Sequence, residues 1–178
     1  MKTRAIIKPV AVSIRCLLMA VCCLLTVACT GGYSFTGASI PPGAKTISVA
    51  TFPNYAPTVN PQLSQKLTDE LKQMFSNQTS LTVTQADGDL QLSGEIVGYE
   101  TRASALSSSD EVSMNRLTIA VRVKFVNTID PDADFEQQFS RFRDYAASQD
   151  FSAVESSLMG EIVTELCEDI FNKSVVNW

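Results

Sequence analysis

Histidine is absent from all 178 residues. Its absence removes Ser-His-Asp triads, imidazole general bases and imidazole metal ligands together. Cysteine is scarce beyond the start of the chain: Cys16, Cys22 and Cys23 fall in an early apolar run, leaving Cys29 and Cys167. Cys167 sits on the apolar side of a predicted helix and reads as a buried, inert thiol, against a lone reactive one for which nothing nearby speaks. Basic residues are few. Four of the fourteen Lys and Arg precede residue 28, so the remainder carries ten against nineteen Asp and Glu, a net charge of −9. A domain this acidic lacks the basic footprint of a general nucleic-acid binder. No Gly-rich phosphate loop follows a strand, no Ser-x-x-Lys pair occurs, and Glu168-Asp169 reads as the solvated side of a helix. An enzyme therefore has little support, and no cofactor is implied.

The opening residues have their own pattern. Lys2, Arg4, Lys8 and Arg15 precede the uncharged stretch Cys16 to Ala28. A basic start, a short apolar run and a small residue before the cut describe an export signal. Reaching the roughly 20 residues that span a bilayer puts Arg15 inside the span, which is the reading of an uncut anchor. Thr26-Val27-Ala28-Cys29 resembles a bacterial lipobox, with Thr26 where the common pattern has Leu and Leu25 one place early. Cleavage before Cys29 and acylation of its thiol, with palmitate-type chains, would tie the chain to a membrane; each buried CH₂ contributes about 0.8 kcal/mol. Ordinary signal-peptidase cleavage near Ala28 is the rival. An acylated Cys29 also leaves Cys167 without a disulfide partner. No acidic residue follows Cys29 closely, so the periplasmic side is expected.

The organisation expected is a signal over 1–28, a Gly-, Ser- and Pro-rich tether over 29–43 and one domain over 44–178. A first strand is predicted over 45–53. Asn60-Pro61 predicts a helix start with Asn60 as cap, and Leu63, Leu67, Leu71, Met74 and Phe75 give its apolar stripe through about Ser76. Residues 81–85 fit a short strand or edge segment. Over 90–99, Leu90, Leu92 and Ile96 face one side; Gln91, Ser93, Glu95, Val97 and Tyr99 face the other. Gly94 and Gly98 mark a bulge or a close approach to a helix. A polar loop over 103–113 leads to the strongest strand, where Leu117, Ile119, Val121, Val123 and Phe125 alternate with Thr118, Ala120, Arg122 and Lys124. Phe135 to Tyr145 form the next strand, with a bulge near Arg141 to align Phe139, Phe142 and Tyr145. Ser152 and Glu155 predict a capping box for a last helix, and Trp178 could dock on the domain. Strand, helix, strands, helix predicts a two-layer α/β (α+β) sandwich, with two helices on one face of a mixed, mainly antiparallel sheet.

Two clusters invite a site. Asp130, Asp132 and Asp134 are spaced like the start of a calcium loop, but its sixth and twelfth positions are Phe135 and Arg141, so an acidic turn is expected and no metal site. Arg122 and Lys124 share one strand face, and Arg141 and Arg143 share a face of the next. Should the register unite them, the four cations form an anion-binding patch suited to phosphate. Glu95 and Glu136 offer the opposing reading, neutralising cross-strand pairs.

The segments 33–42 (YSFTGASIPP), 46–54 (TISVATFPN), 60–71 (NPQLSQKLTDEL), 89–100 (DLQLSGEIVGYE), 115–128 (NRLTIAVRVKFVNT), 135–145 (FEQQFSRFRDY) and 169–178 (DIFNKSVVNW), taken in order with Cys29, resemble the LptE family of lipopolysaccharide-assembly lipoproteins. The resemblance implies the same two-layer fold and a non-enzymatic outer-membrane protein, lipid-anchored on the periplasmic side. It also implies a partner, the large β-barrel LptD, whose lumen the lipoprotein plugs, and lipopolysaccharide as ligand. Only Cys29 carries over by position. The alternative is a periplasm-facing lipoprotein that binds a small ligand or peptide in a deep apolar pocket.

Overall fold

Alternation along residues 117–125 dictates one apolar side, and the computed structural model, which describes residues 40–104 and 113–176, buries all of Leu117, Ile119, Val121, Val123 and Phe125. They belong to strand β4 (Met114–Asn127). The other elements are β1 (Thr46–Val49), α1 (Leu63–Gln78), β2 (Thr82–Thr84), β3 (Leu90–Ala103), a 3₁₀ turn (Pro131–Ala133), β5 (Phe135–Ala146) and α2 (Phe151–Val175). The sheet runs β2-β1-β3-β4-β5. β1 lies parallel to β2 and to β3, and β3, β4 and β5 form an antiparallel meander. Leu63, Leu67, Leu71 and Phe75 of α1 meet Leu158, Ile162, Leu166 and Ile170 of α2 in a single core over the sheet. The architecture is the two-layer α+β sandwich expected.

The first strand is shorter than the pattern suggested. It ends at Val49, although the chain stays beside β3: Ala50 N donates to Leu92 O, Ile96 N to Pro53 O and Tyr55 N to Ile96 O, at 2.8–2.9 Å. The cause lies at Phe52. Its N–H donates to Thr68 Oγ1 of α1 at 3.1 Å and its C=O accepts from Ser64 Oγ, so helix hydroxyls take the main-chain groups a ladder would use. The Phe52 ring is fully buried over Gly94, where an added Cβ would lie 2.5 Å from Phe52 Cε1 and 2.3 Å from Arg122 O. Gly94 thus makes room for an aromatic ring and not for a helix.

Three more expectations need correction. A register shift between Ile96 and Gly98 inserts one residue, and beyond it the alternation inverts. Tyr99 therefore faces the core at 3 % exposure instead of joining the polar side. In β5 no bulge occurs; pairing with β4 is continuous from Phe125↔Phe135 to Met114↔Ala146. Phe139 and Tyr145 are buried and Phe142 stays on the opposite face, 46 % exposed. The arginine of Arg116, 3.7 Å over the Phe142 ring, accounts for its tolerance there.

Both helix starts also move. α1 begins at Leu63 after Gln62, and Asn60 instead closes a turn, its Oδ1 accepting from Gln62 N at 2.9 Å. α2 is capped by Asp150, whose Oδ1 accepts from Ser152 N at 3.1 Å. Glu155 does not complete a capping box. It accepts from Tyr99 Oη and, at 2.8 Å, from Asn60 Nδ2, which ties the loop before α1, the bulged half of β3 and the first turn of α2 together. Cys167 is fully buried against α1 and burial pushes its thiol pKa up, in line with an inert role. Cys29, the loop residues 105–112 and Trp178 lie outside the described residues.

The Phe52–Gly94 contact gives a stability test. Gly94→Ala should lower unfolding free energy by about 2 kcal/mol or more, as overpacking against backbone does. Gly98→Ala, whose Cβ meets only Ala120 Cβ at 3.1 Å, should be milder. Urea unfolding monitored by circular dichroism ranks the two.

Candidate functional site

Because pleated strands alternate, the buried odd-numbered residues of β4 leave its even-numbered residues on the face opposite the helices. Arg122 and Lys124 lie there. The register pairs Arg122 with Glu95 and Gln138, and Lys124 with Ser93 and Glu136. Arg122 Nη1 donates to Glu95 Oε1 at 2.7 Å, so this arginine follows the cross-strand pairing pattern. Among the described residues Lys124 forms no ion pair with Glu136.

Arg141 and Arg143 do not join them. They stand opposite Ile119 and Leu117, so they project to the helix side. There Arg141 makes a bidentate pair with Asp169 of α2, both bonds at 2.6 Å. Arg143 reaches Glu161 at 2.8 Å and holds Glu165 with two nitrogens. The four-cation patch is thus not assembled. A bulge at Arg141 was needed to change its parity, and β5 has none.

The open face is a mixed-charge surface. Arg116 pairs bidentately with Asp144 at 2.7 and 2.9 Å, and Arg102 pairs with Glu100 at 2.8 Å. Gly98, Ala120 and Ser140 are register neighbours across three strands. Their small side chains leave a concavity of about 560 Å³, bordered by Pro57, Thr58, Arg122 and Gln138. Tyr55 and Val59, on the adjoining loop, are exposed apolar residues. Among the described residues no three His, Cys, Asp or Glu side chains are grouped to hold a metal. Asp134 Oδ1 is engaged by Asn127 N at 2.7 Å, which makes it part of the hairpin turn. Chemically this face offers hydrogen bonds and paired charges; no nucleophile lies beside a base on it.

Two arrangements escaped the sequence reading. The Tyr99–Glu155–Asn60 cluster depends on the bulge, which no residue type announces. The split of the arginines was open to parity reasoning: Phe139 and Tyr145, odd-numbered and aromatic, put Arg141 and Arg143 on their own face.

A family model described as LptE, lipopolysaccharide-assembly, matches residues 44–174. Among solved structures, a protein of Xanthomonas campestris is similar at 12 % identity and a TM-score of 0.53, over 78 % of this chain and 90 % of that one. A hypothetical protein of Chlamydia trachomatis is similar at 12 % identity and a TM-score of 0.50, over 75 % of this chain and 100 % of that one. A minor lipoprotein of Acinetobacter baumannii has 14 % identity and a TM-score of 0.44, over 73 % and 91 %. At these identities the likeness is one of fold. No curated protein matches.

Three carboxylates predict an acid response. Arg143 holds Glu165 below its ordinary value of 4.5, and Arg116 holds Asp144 below 3.8. Asp89 is held below 3.8 by Lys45 N at 2.8 Å, then by Thr46 Oγ1 and N. A carboxyl whose folded pKa is depressed stabilises above its unfolded value and loses that contribution as pH falls through the folded one. The urea midpoint should therefore be flat above pH ~5 and drop between pH ~4 and ~2. Arg143→Gln should make the drop shallower.

Proposed function

The chain belongs to the LptE family of lipopolysaccharide-assembly proteins, and from that premise we propose that it is a non-enzymatic, lipid-anchored plug of an LptD-type outer-membrane β-barrel. The observation that carries this reading is the family match across nearly the whole described domain, on the two-layer fold the family implies. A plug must present polar, shaped surfaces to a lumen wall. The ion-paired open face of β3–β4–β5 is such a surface, and its pairs are satisfied within the domain. Cys29, acylated after removal of residues 1–28, anchors the protein on the periplasmic side of the outer membrane. Lipopolysaccharide is the ligand, and its phosphates meet the open face at Arg122 and Lys124. Arg141 and Arg143, bound to α2, keep the helix on the sheet. The concavity beside Gly98 favours a second reading, capture of a small ligand or peptide by a periplasm-facing lipoprotein.

Purification from detergent-solubilised outer membrane tests the partnership. A large β-barrel protein should be recovered in about equal amount, and mass spectrometry should find residue 29 as the acylated N-terminus. A well-folded protein that brings down no barrel, or that carries an unmodified thiol at residue 29, would overturn the respective statement. A second experiment addresses the ligand. Arg122→Glu combined with Lys124→Glu should weaken lipopolysaccharide binding at low salt several-fold, while Arg141→Glu with Arg143→Glu should chiefly destabilise the fold. Equal binding by the first variant and the wild type would remove the open face as the ligand site.

A further inference from the structure

The two edges of the sheet are treated differently. β2, at one edge, has only three residues, a common way of blunting an edge. β5, at the other, has twelve, pairs with β4 without a bulge, and contains neither proline nor lysine. Those are the devices that usually guard a long edge. Its charges are turned away: Arg141 and Arg143 are drawn up to Asp169, Glu161 and Glu165, and Asp144 across to Arg116.

The phase of the ladder shows what the edge presents. Ala147 N donates to Ser113 O, and in an antiparallel pair such bonds recur at every second residue. Odd-numbered residues of β5 therefore bond β4. On the other side of β4, Ser104 N donates to Met114 O, which assigns its even-numbered residues to β3 and agrees with this phase. Glu136, Gln138, Ser140, Phe142 and Asp144 point their main-chain N–H and C=O groups away from the sheet. All five side chains are exposed. Among the described residues no main-chain hydrogen bond takes up this side.

We propose that the outer edge of β5 docks an extended segment of the partner protein by strand addition. Unpaired backbone groups in a regular row are matched by another extended backbone. A second copy of this chain is a poor occupant. Glu161, Glu165 and Asp169 of α2 overhang β5, so a symmetric β5–β5 pair would set two acidic rows against each other. A barrel strand is excluded too, because a closed barrel has no free edge. The occupant is a terminal or loop segment of the barrel protein, with an apolar side chain beside the exposed Phe142. This inference rests on the proposed barrel partnership.

Proline substitution isolates the edge. At Gln138 and Ser140 the N–H points outward, so Gln138→Pro and Ser140→Pro remove a docking donor and obstruct the edge while leaving the β4 bonds in place. Each full-length variant, purified with the barrel from outer membrane, should bring down about tenfold less of it, and Ser140→Ala should behave as wild type. Barrel recovery at wild-type level by both proline variants overturns the inference and leaves the partnership standing. If the wild type recovers no barrel, both fall. Should the proline variants fail to fold, hydrogen exchange on the wild-type protein decides. Slower exchange at the Gln138, Ser140 and Phe142 amides in the complex than in the free protein supports docking; unchanged exchange overturns it.

Discussion

Side-chain parity across the β3–β4–β5 meander is the constraint on which the other features depend. β4 commits its odd-numbered residues to the core, and continuous pairing passes that choice to every odd-numbered residue of β5. Arg141 and Arg143 therefore emerge beneath α2, and its acidic row supplies their partners. β3 obeys the same rule up to Ile96, where one inserted residue inverts it. That inversion carries Tyr99 into the core, within reach of Glu155. A single bulge thus creates the polar link between sheet and second helix, and the absence of another keeps the arginines apart.

Much of the architecture was legible because it is written in hydrophobic period. The apolar stripes of α1 and α2 and the alternation of β4 are long and unbroken, and their burial follows directly. The failures cluster where local preference competed with tertiary bonding. Asn60 and Ser152 are good caps by residue type, yet Asn60 closes a turn and Asp150 caps α2. Phe52 looked like the continuation of a strand, but Thr68 and Ser64 of α1 claim its main-chain groups. No window around residue 52 contains that information, since the competing hydroxyls lie on the following helix.

The arginine patch failed for a different reason. Two cations on each of two neighbouring strands suggest proximity, but proximity needs equal parity across the pair. Arg122 and Arg141 differ in parity, and only an irregularity in β5 could have united them. Phe142 made such an irregularity attractive, as an aromatic residue seemingly on the wrong side. The cation–π contact with Arg116 removes that need, because it gives an exposed ring a partner without moving the register.

Charge is organised so that cations are neutralised near where they stand. Arg116 and Arg122 are answered on the open face by Asp144 and Glu95, while Arg141 and Arg143 are answered on the helix side by Asp169, Glu161 and Glu165. Exposed pairs of this kind add little stability singly. Their greater effect is to fix direction. Guanidinium groups held at two points cannot sweep over neighbouring backbone, so the pairing that seats α2 also leaves the main chain of β5 uncovered. Lys124, with no carboxylate bound among the described residues, is the cation of the open face still able to meet an anion from outside. A surface of satisfied pairs with one such lysine suits a protein whose task is to fit against a wall and touch a charged lipid, since unpaired charges in number would have to be desolvated on docking.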